Sequence, residues 1–242
     1  MIDDDLLPES SVPGLIPTLN NTGWMTESLD EISVAFTDYA GNIDAESLDI
    51  GCAYGIATLM ALDKGARILA CDIESGHLDI LAKRIPDDAA DRYRSKVGTL
   101  PDVDFAAGSF GAVLASRVLH FLTGADVEQT VTKIYDWLQP GGRVFLVADS
   151  PYTGPWRVAA DDYERRKAAG DPWPGFIENY AQYLPATEDP KKHPAFINPM
   201  DPDILHRVCV QAGFEVLEDR FLTGGTRWST GRDHAGVIAR KV

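Results

Sequence analysis

The chain has 242 residues and a formal net charge of −15, from 37 acidic and 22 basic side chains. This balance repels nucleic acids and anionic membrane surfaces, so it disfavours both classes of partner. No uninterrupted apolar run approaches ~18 residues, and the acidic N-terminal stretch lacks the positive start of a signal peptide, so we expect neither membrane insertion nor export. The length suits one α/β domain with a large core.

The three cysteines, Cys52, Cys71 and Cys209, are an odd number in unrelated contexts. They lack the paired spacing of a zinc site or of a secreted disulfide framework. We therefore expect a reducing, cytoplasmic location and no metal site.

The most informative segment is S-L-D-I-G-C-A-Y-G at residues 47–55, which predicts a short buried strand that enters a glycine-containing turn. Gly51 and Gly55 permit positive φ and a close approach of the backbone to a ligand, and Asp49 supplies an acceptor where α/β sheets bind ligands. These properties indicate a nucleotide-cofactor loop, although tight packing alone also produces glycine-rich turns.

A helix over residues 56–62 and an apolar strand over residues 66–71 follow this loop, and Asp72 closes the strand. Asp72 lies 72 − 51 = 21 residues after Gly51. From that position a carboxylate can accept hydrogen bonds from both hydroxyls of a ribose. The alternative role for Asp72 is that of an acid favoured at a helix N-terminus.

The identity of the nucleotide depends on the spacing of the glycines. A dinucleotide fingerprint requires glycine at its first, third and sixth positions, where this loop has Gly51, Ala53 and Ile56. The loop instead resembles the first motif of class I S-adenosylmethionine-dependent methyltransferases, acid-x-Gly-x-Gly-x-Gly, which is met by Asp49, Gly51 and Gly55. It departs from that motif at Ala53, where the middle glycine is usual.

The resemblance extends to the next two loops. Asp72 and Ile73 resemble the family's ribose-binding acid and the apolar residue that covers one face of the adenine. Residues 97–111 are similar to the third-strand loop, with Thr99 where an Asp usually accepts from the adenine amino group and Gly111 in place of a customary Asp. The cofactor-binding residues that the resemblance implies are Asp49, Gly51, Ala53, Gly55, Asp72, Ile73, Thr99, Leu100 and Ser116.

Residues 112–122 resemble the family's fourth strand and its exit. Ser116 and Arg117 then fall at the carboxyl end of this strand and face the cleft. His120 lies just beyond, where many small-molecule methyltransferases carry a histidine.

A helix over residues 123–138 is predicted by apolar residues at spacings of four, three and four. The run L-Q-P-G-G-R then ends the helix and precedes a fifth strand over residues 143–148, which is itself typical of methyltransferases. A further helix begins at Asp201 and Pro202, and strands over residues 214–221 and 234–240 complete the chain.

The resemblance implies a Rossmann-like three-layer α/β sandwich with a seven-stranded, mostly parallel sheet, whose sixth and seventh strands form an antiparallel hairpin at one edge. We predict a single methyltransferase domain over residues 1–242. It would comprise an N-terminal cover (1–45), a cofactor-binding core (46–149), an aromatic and proline-rich substrate cap (150–200) and a C-terminal helix with the edge hairpin (201–242). The alternative for the cap is a satellite hydrophobic cluster under a long loop.

The resemblance also implies the chemistry. The sulfonium methyl is already electrophilic, so an enzyme needs mainly to align a nucleophile and exclude water, and no metal is required. A phenol or alcohol acceptor would gain from a base, for which His120 is the first candidate and His193 the second. The candidates for substrate binding are Trp24, Arg117, Asp149, Tyr152, Trp156 and Tyr180.

We therefore expect transfer of a methyl group from S-adenosylmethionine to a small organic acceptor, at oxygen rather than nitrogen, by a monomer or homodimer. A nicotinamide-dependent oxidoreductase is the alternative enzyme on the same general sheet. A non-catalytic S-adenosylmethionine-binding regulatory module is the alternative from another class, and it predicts cofactor binding without any methylated product.

Overall fold

The fold is that of a computed structural model, which describes residues 6–10, 13–20, 23–183, 194–224 and 229–242. Its strands are β1 (Leu15–Pro17), β2 (Trp24–Thr26), β3 (Ser47–Ile50), β4 (Ile68–Asp72), β5 (Tyr93–Val97), β6 (Phe110–Ser116), β7 (Leu138–Asp149), β8 (Phe214–Leu222) and β9 (His234–Lys241). Its α-helices are α1 (Glu31–Ala40), α2 (Ile56–Asp63), α3 (Ser75–Arg84), α4 (Gly124–Trp137), α5 (Ala160–Ala168) and α6 (Pro202–Gln211).

Seven of these strands form one sheet in the order β5-β4-β3-β6-β7-β9-β8. The pairs from β5 to β7 are parallel, whereas β9 runs antiparallel to both β7 and β8. The predicted mostly parallel sheet with an antiparallel edge hairpin is therefore confirmed.

Helices cover both faces of the sheet, and β6 shows how the sequence divides between them. Val113 and Ala115 pack with residues of α4 and α6, whereas Ala112 and Leu114 pack with residues of α1 and α2. All four are fully buried. Successive side chains of a strand point to opposite faces, so a strand covered on both sides reads as an uninterrupted apolar run.

The strand β7 begins earlier than the predicted residues 143–148. It starts at Leu138, which pairs with Phe110, and the regular register resumes only at Arg143 opposite Ala112. Gly141, with φ 79°, lies in the irregular stretch between them. An irregularity of this kind lets a strand continue through a glycine-rich turn that sequence patterns assign to a loop.

Gly111 lies opposite this stretch, and its lack of a side chain has a packing reason. A Cβ at this position would lie 2.6 Å from Cδ1 of Ile43 and 2.8 Å from Cβ of Ala45. The segment before β3 therefore occupies the space that an Asp would need.

The described part of the segment between β7 and α6 is built around α5, and we keep for it the name cap, whose role over the substrate stays a prediction. Trp156 and Ile197 form its buried core, and Ile177 pairs with Ile197 through an isolated β-bridge. Lys167 on α5 binds the carboxylates of Asp201 and Asp203 at the start of α6, which ties the cap to the sheet layer. The cap contains a cavity of about 210 Å³, whose lining includes Pro151, Trp156, Tyr163, Phe176 and Pro199.

None of the described helices has the length and apolar character needed to cross a membrane.

Candidate active site

The loop from β3 to α2 contains three residues in the left-handed region. They are Gly51 (φ 74°), Ala53 (φ 46°) and Gly55 (φ 76°). The amides of Gly51 and Cys52 both donate to the carbonyl of Cys71, at 2.8 and 3.1 Å, so the turn is tied to the end of β4. A Cβ on Gly51 would lie 2.1 Å from Cγ1 of Val118, and one on Gly55 would lie 2.3 Å from Cδ1 of Leu81. Both glycines are thus required by the close packing of the protein around the loop.

Asp49 lies buried beneath this loop. Its Oδ2 accepts a hydrogen bond of 2.7 Å from the hydroxyl of Thr58 on α2. Burial raises the pKa of Asp49 to about 6, with a smaller contribution from the negative charge of Asp72, although the bond from Thr58 opposes the rise. A nearby positive charge would favour ionisation of this carboxyl group.

Asp72, at the end of β4, is held by the adjoining loop and helix. Its Oδ2 accepts from the amide of Ala53 at 2.8 Å, and its Oδ1 accepts from the amide of Glu74 at 2.9 Å. Oδ1 also lies 3.0 Å from Nδ1 of His77. Since each carboxylate oxygen can accept two hydrogen bonds, Oδ2 has capacity for one more donor. Asp72 is thus the last residue of β4, and Glu74 rather than Asp72 caps α3, while the ribose-binding role of Asp72 stays a prediction.

His77 connects this carboxylate to the N-terminal hairpin of β1 and β2. Its Nε2 accepts a hydrogen bond of 3.0 Å from the amide of Leu19, and Tyr54 donates its hydroxyl to the carbonyl of Pro17 at 2.8 Å. On the far side, a Cβ on Gly23 would lie 3.5 Å from Cζ of Phe121. The hairpin therefore reaches from α3 to the turn after β6.

The ends of β4 and β5 expose apolar surface beside Asp72. Ile73 is 58% exposed and Val97 is 55% exposed, so two large apolar side chains are open to solvent beside Asp72. Thr99 is also exposed, and its hydroxyl lies 3.3 Å from the carbonyl of Leu100. Leu100 itself packs against the main core.

Ser116 and Arg117 lie at the carboxyl end of β6, as the sequence predicts. The Ser116 hydroxyl is 3.3 Å from that of Ser33, which donates to the N-cap residue Asp30 of α1. Arg117 has φ 59°, an uncommon conformation for a residue with a side chain. Its Nε is buried and has no hydrogen-bond partner among the described residues.

His120, Asp149 and His234 form a cluster at the same end of the sheet, which we call the His-Asp-His cluster. The amide of Asp149 donates to Nδ1 of His120 at 3.1 Å, and Nδ1 of His234 lies 3.0 Å from Oδ1 of Asp149. Nε2 of His120 is 3.9 Å from Oδ2 of the same carboxylate. Asp149 and His234 also face each other in the register of β7 and β9.

In this cluster, burial and the nearby charge of the opposite sign act in opposite directions on the pKa values of His120 and Asp149. Burial lowers the pKa of His120, and His234 and Arg117 lower it further, although Asp149 favours the protonated ring. Burial alone would raise the pKa of Asp149, but His120, the hydrogen bond from His234 and the charge of Arg117 together hold it well below its usual range. Asp149 is therefore an ionised acceptor between two imidazoles.

The other predicted substrate residues make contacts with groups outside this cluster. Trp24, on β2, is 45% exposed on the hairpin. Trp156 is buried in the cap and donates its ring N–H to the carbonyl of Ser150 at 2.9 Å. Tyr152 donates its hydroxyl to Glu164 of α5. The side chain of Tyr180 and the whole of His193 lie outside the described residues, so their roles stay predictions.

The residues that the structure describes contain neither a metal centre nor a reactive thiol. There, no three His, Cys, Asp or Glu side chains are arranged to hold a metal ion. The thiols of Cys52, Cys71 and Cys209 are free and buried, and burial raises the pKa of each of them. Such thiols are poor nucleophiles at neutral pH.

Sequence reasoning singled out neither His77 nor His234. His77 follows Asp72 by five residues, so a helix predicted to begin just after Asp72 would have placed His77 in its first turn, near that carboxylate. His234 could have been found only by aligning the register of the last strand with that of β7, because 85 positions separate it from Asp149.

Comparisons with known proteins agree with this geometry. Residues 48–146 match the family model described as a methyltransferase domain. Over 106 residues the chain is 33% identical to a biotin biosynthesis bifunctional protein of Cellvibrio japonicus. The aligned region covers 44% of this chain and 20% of that protein. It is 31% identical over 106 residues to the cypemycin N-terminal methyltransferase of a Streptomyces species, covering 43% of this chain and 42% of that enzyme. The chain thus spans less than half the length of these curated relatives.

Solved structures show the same fold at low sequence identity. A methyltransferase from Methanosarcina mazei has a TM-score of 0.62 at 20% identity, covering 82% of this chain and 93% of that one. The 1,6-didemethyltoxoflavin N1-methyltransferase of Burkholderia thailandensis, solved with its acceptor and S-adenosylhomocysteine, has a TM-score of 0.60 at 19% identity, covering 88% and 79%. Residues 48–146 are thus similar to a methyltransferase domain, and the solved methyltransferases share the fold of this chain.

Proposed function

We propose that this chain transfers a methyl group from S-adenosylmethionine to a small organic acceptor, at oxygen rather than nitrogen and without a metal ion. The observation that carries the proposal is the junction of Asp72 with the β3–α2 loop through the amide of Ala53. It joins the two segments that the family uses for its cofactor into one surface at the carboxyl ends of the strands.

The residues of this surface fit the cofactor in shape and polarity. Asp72 keeps one accepting position for a ribose hydroxyl, and the exposed side chains of Ile73 and Val97 offer an apolar face beside it. Thr99, which is exposed on the following loop, keeps its proposed role as an acceptor for the adenine amino group. Covering the apolar side chains with an aromatic base would remove them from water, which is favourable.

The charge near the loop suits a sulfonium cation. Asp49 and Asp72 end neighbouring strands, and the pKa of Asp49 is raised to about 6, chiefly by burial and further by the charge of Asp72. A bound cation would offset the cost of burying these charges. The cofactor supplies an electrophilic methyl group, and the protein has to hold the acceptor in line with it and exclude water.

The acceptor is proposed to lie at the ends of β6 and β7, beside Ser116, Arg117 and Asp149. The last residues of the cap are fixed to these strand ends, because the amide of Asn198 donates to the carbonyl of His120 at 2.8 Å and that of Met200 to the carbonyl of Asp149 at 2.9 Å. Small acceptors are also the substrates of the toxoflavin enzyme and of the geranyl diphosphate methyltransferases of similar fold. A small metabolite therefore fits this region better than a polymer.

The proposal for the partner and the location follows the sequence. The net charge of −15 disfavours nucleic acid, and the three free, buried thiols are consistent with a reducing cytoplasm. We propose a monomer or homodimer that needs no macromolecular partner for catalysis.

Calorimetric titration with S-adenosylhomocysteine tests the cofactor, with oxidised nicotinamide dinucleotide as the control. We expect micromolar binding of the first compound alone, and binding of only the dinucleotide would overturn the proposal. Transfer of labelled methyl from S-adenosylmethionine to a panel of phenols, alcohols, carboxylic acids and amines then tests the reaction. Tight cofactor binding with no product from the panel would favour a regulatory module instead.

A further inference from the structure

We infer that His234, held by Asp149, is the group that removes the proton from a hydroxyl acceptor, and that His120 positions Asp149 and takes no proton itself. This inference rests on the proposed function and assigns its base. It follows from the hydrogen-bond roles within the His-Asp-His cluster.

The hydrogen bond at His120 fixes its tautomer. A backbone amide can only donate, so Nδ1 of His120 must offer its lone pair to the amide of Asp149 at 3.1 Å. The proton of the neutral ring is then on Nε2, the nitrogen nearer the Asp149 carboxylate. His120 is also 3% exposed. A neutral ring in this state has no lone pair left to accept a proton.

His234 has the opposite arrangement. Its Nδ1 lies 3.0 Å from Oδ1 of Asp149, and an ionised carboxylate can only accept, so the proton of the neutral ring is on Nδ1. The lone pair is then on Nε2, to which no described residue donates a hydrogen bond. The side chain is 11% exposed, compared with 4% for His120. Of the two imidazoles, His234 is the one with a lone pair available to a ligand.

Asp149 contacts the His234 ring from β7 and orients it. Asp233 precedes His234 in the chain and accepts hydrogen bonds from the amides of Gly224 and Thr230. The hydrogen bond from His234 and the positive charge of Arg117 hold the pKa of Asp149 well below its usual range, so that carboxyl is ionised. A base oriented and charge-compensated by a carboxylate is the arrangement that general-base catalysis requires.

The reaction balances without a further reagent. The acceptor oxygen forms a bond to the methyl carbon, the carbon–sulfur bond breaks, and its electron pair stays on sulfur. The hydroxyl proton moves to Nε2 of His234 and later leaves to water. S-adenosylhomocysteine and the methyl ether are the products.

The tautomers can be measured on the protein without any ligand. Two-bond 15N–1H correlation spectra of histidine-labelled protein distinguish a ring protonated on Nδ1 from one protonated on Nε2. The five histidines are assigned from single His→Gln variants. We expect the Nδ1–H form for neutral His234 and the Nε2–H form for neutral His120. An Nε2–H form at His234 would overturn the inference.

Carbethoxylation with diethyl pyrocarbonate, mapped by mass spectrometry, adds a measure of reactivity. The reagent attacks an unprotonated, accessible ring nitrogen, so we expect His234 to react at least ~10-fold faster than His120, given its free lone pair. Asp149→Asn should convert His234 to a mixture of tautomers. The matched control is Asp219→Asn, because Asp219 binds His206 in an exposed His–Asp pair elsewhere, and it should alter His206 alone.

A measurement of turnover distinguishes a catalytic role of His234 from a structural one. With the hydroxyl acceptors of the panel, His234→Gln should lower kcat by ~10²–10⁴-fold while leaving the affinity for S-adenosylhomocysteine within about twofold. His206→Gln should change neither quantity. Unchanged turnover of His234→Gln would refute the assignment of the base. If the parent protein does not bind S-adenosylhomocysteine, the proposed function is refuted, whereas the measured tautomers remain valid.

Discussion

Asp72 and His77 form a buried pair in which the carboxylate Oδ1 lies 3.0 Å from the ring Nδ1. The other ring nitrogen of His77 accepts the amide of Leu19, so the acid proposed to bind the ribose is linked through one imidazole to the N-terminal hairpin. Because an amide can only donate, this link requires Nδ1 to carry the proton of the neutral ring and to donate it to Asp72. The pair therefore couples the order of the hairpin to the orientation of the proposed cofactor-binding acid.

His77→Gln should loosen this link. Removal of a buried hydrogen-bond partner costs about 1 to 3 kcal/mol, so we expect a loss of that size in the free energy of unfolding and faster amide exchange at Leu19. Urea titration and hydrogen exchange measure the two effects. His206→Gln is the control, since His206 pairs with Asp219 at an exposed position and should leave the exchange at Leu19 unchanged. Unchanged exchange at Leu19 in His77→Gln would contradict the link.

Asp72→Ala should weaken cofactor binding. A hydrogen bond to a charged group contributes about 1.5 to 3 kcal/mol, which corresponds to roughly a 10- to 100-fold loss of affinity for S-adenosylhomocysteine. Calorimetry measures it directly. Glu74→Ala serves as the control, because Glu74 only caps α3 through the amide of Gly76. An affinity equal to that of the parent would remove the ribose role from Asp72.

Asp49→Asn should alter the pH dependence of stability. The folded pKa of about 6 exceeds the ordinary value of 3.8, so between these pH values the folded chain keeps a proton that the unfolded chain has lost. The stabilisation is present in full below pH 3.8 and is lost as the pH rises through about 6, by roughly 3 kcal/mol in total. Asn cannot ionise, so the variant should lose this part of the pH dependence.

Urea unfolding at pH 4.5 and pH 7.5 tests this expectation for the parent and for Asp49→Asn. Asp79→Asn, at an exposed position on α3, is the control and should keep the parent's pH dependence. If Asp49→Asn loses as much stability between the two pH values as the parent does, Asp49 is not the group responsible.

Ala53→Gly should be tolerated or stabilising, whereas Gly51→Ala should be destabilising. Ala53 has φ 46°, a conformation that costs an L-residue with a side chain roughly 1 to 2 kcal/mol and costs glycine little, so the substitution should gain up to about 1 kcal/mol. At Gly51 the new Cβ would lie 2.1 Å from Val118. Thermal unfolding of both variants checks the contrast, and equal losses of stability would show that strain at Ala53 is unimportant.

Much of the fold, and the proposed cofactor-binding part of the site, can be predicted from local patterns in the sequence. The loop at Gly51 to Gly55 and the acid at Asp72 are readable because a strand, a turn and a helix are each specified by neighbouring residues. The strand β7 was predicted too short because Gly141 and Gly142 look like a loop, and only pairing with β6 carries the strand through them. The base was predicted as His120 because its position resembles the family, but the sequence does not reveal which ring nitrogen is already bonded.

The sequence by itself determined that this protein is an α/β chain with an S-adenosylmethionine-type loop, since strand order and motif spacing are written within short segments. Only the tertiary structure decided which side chains meet at the carboxyl end of the sheet. His234 meets Asp149 because β9 runs antiparallel to β7 in one register, and Leu19 meets His77 because the hairpin lies against α3. These contacts join residues that are far apart in the sequence, so local sequence patterns do not predict them.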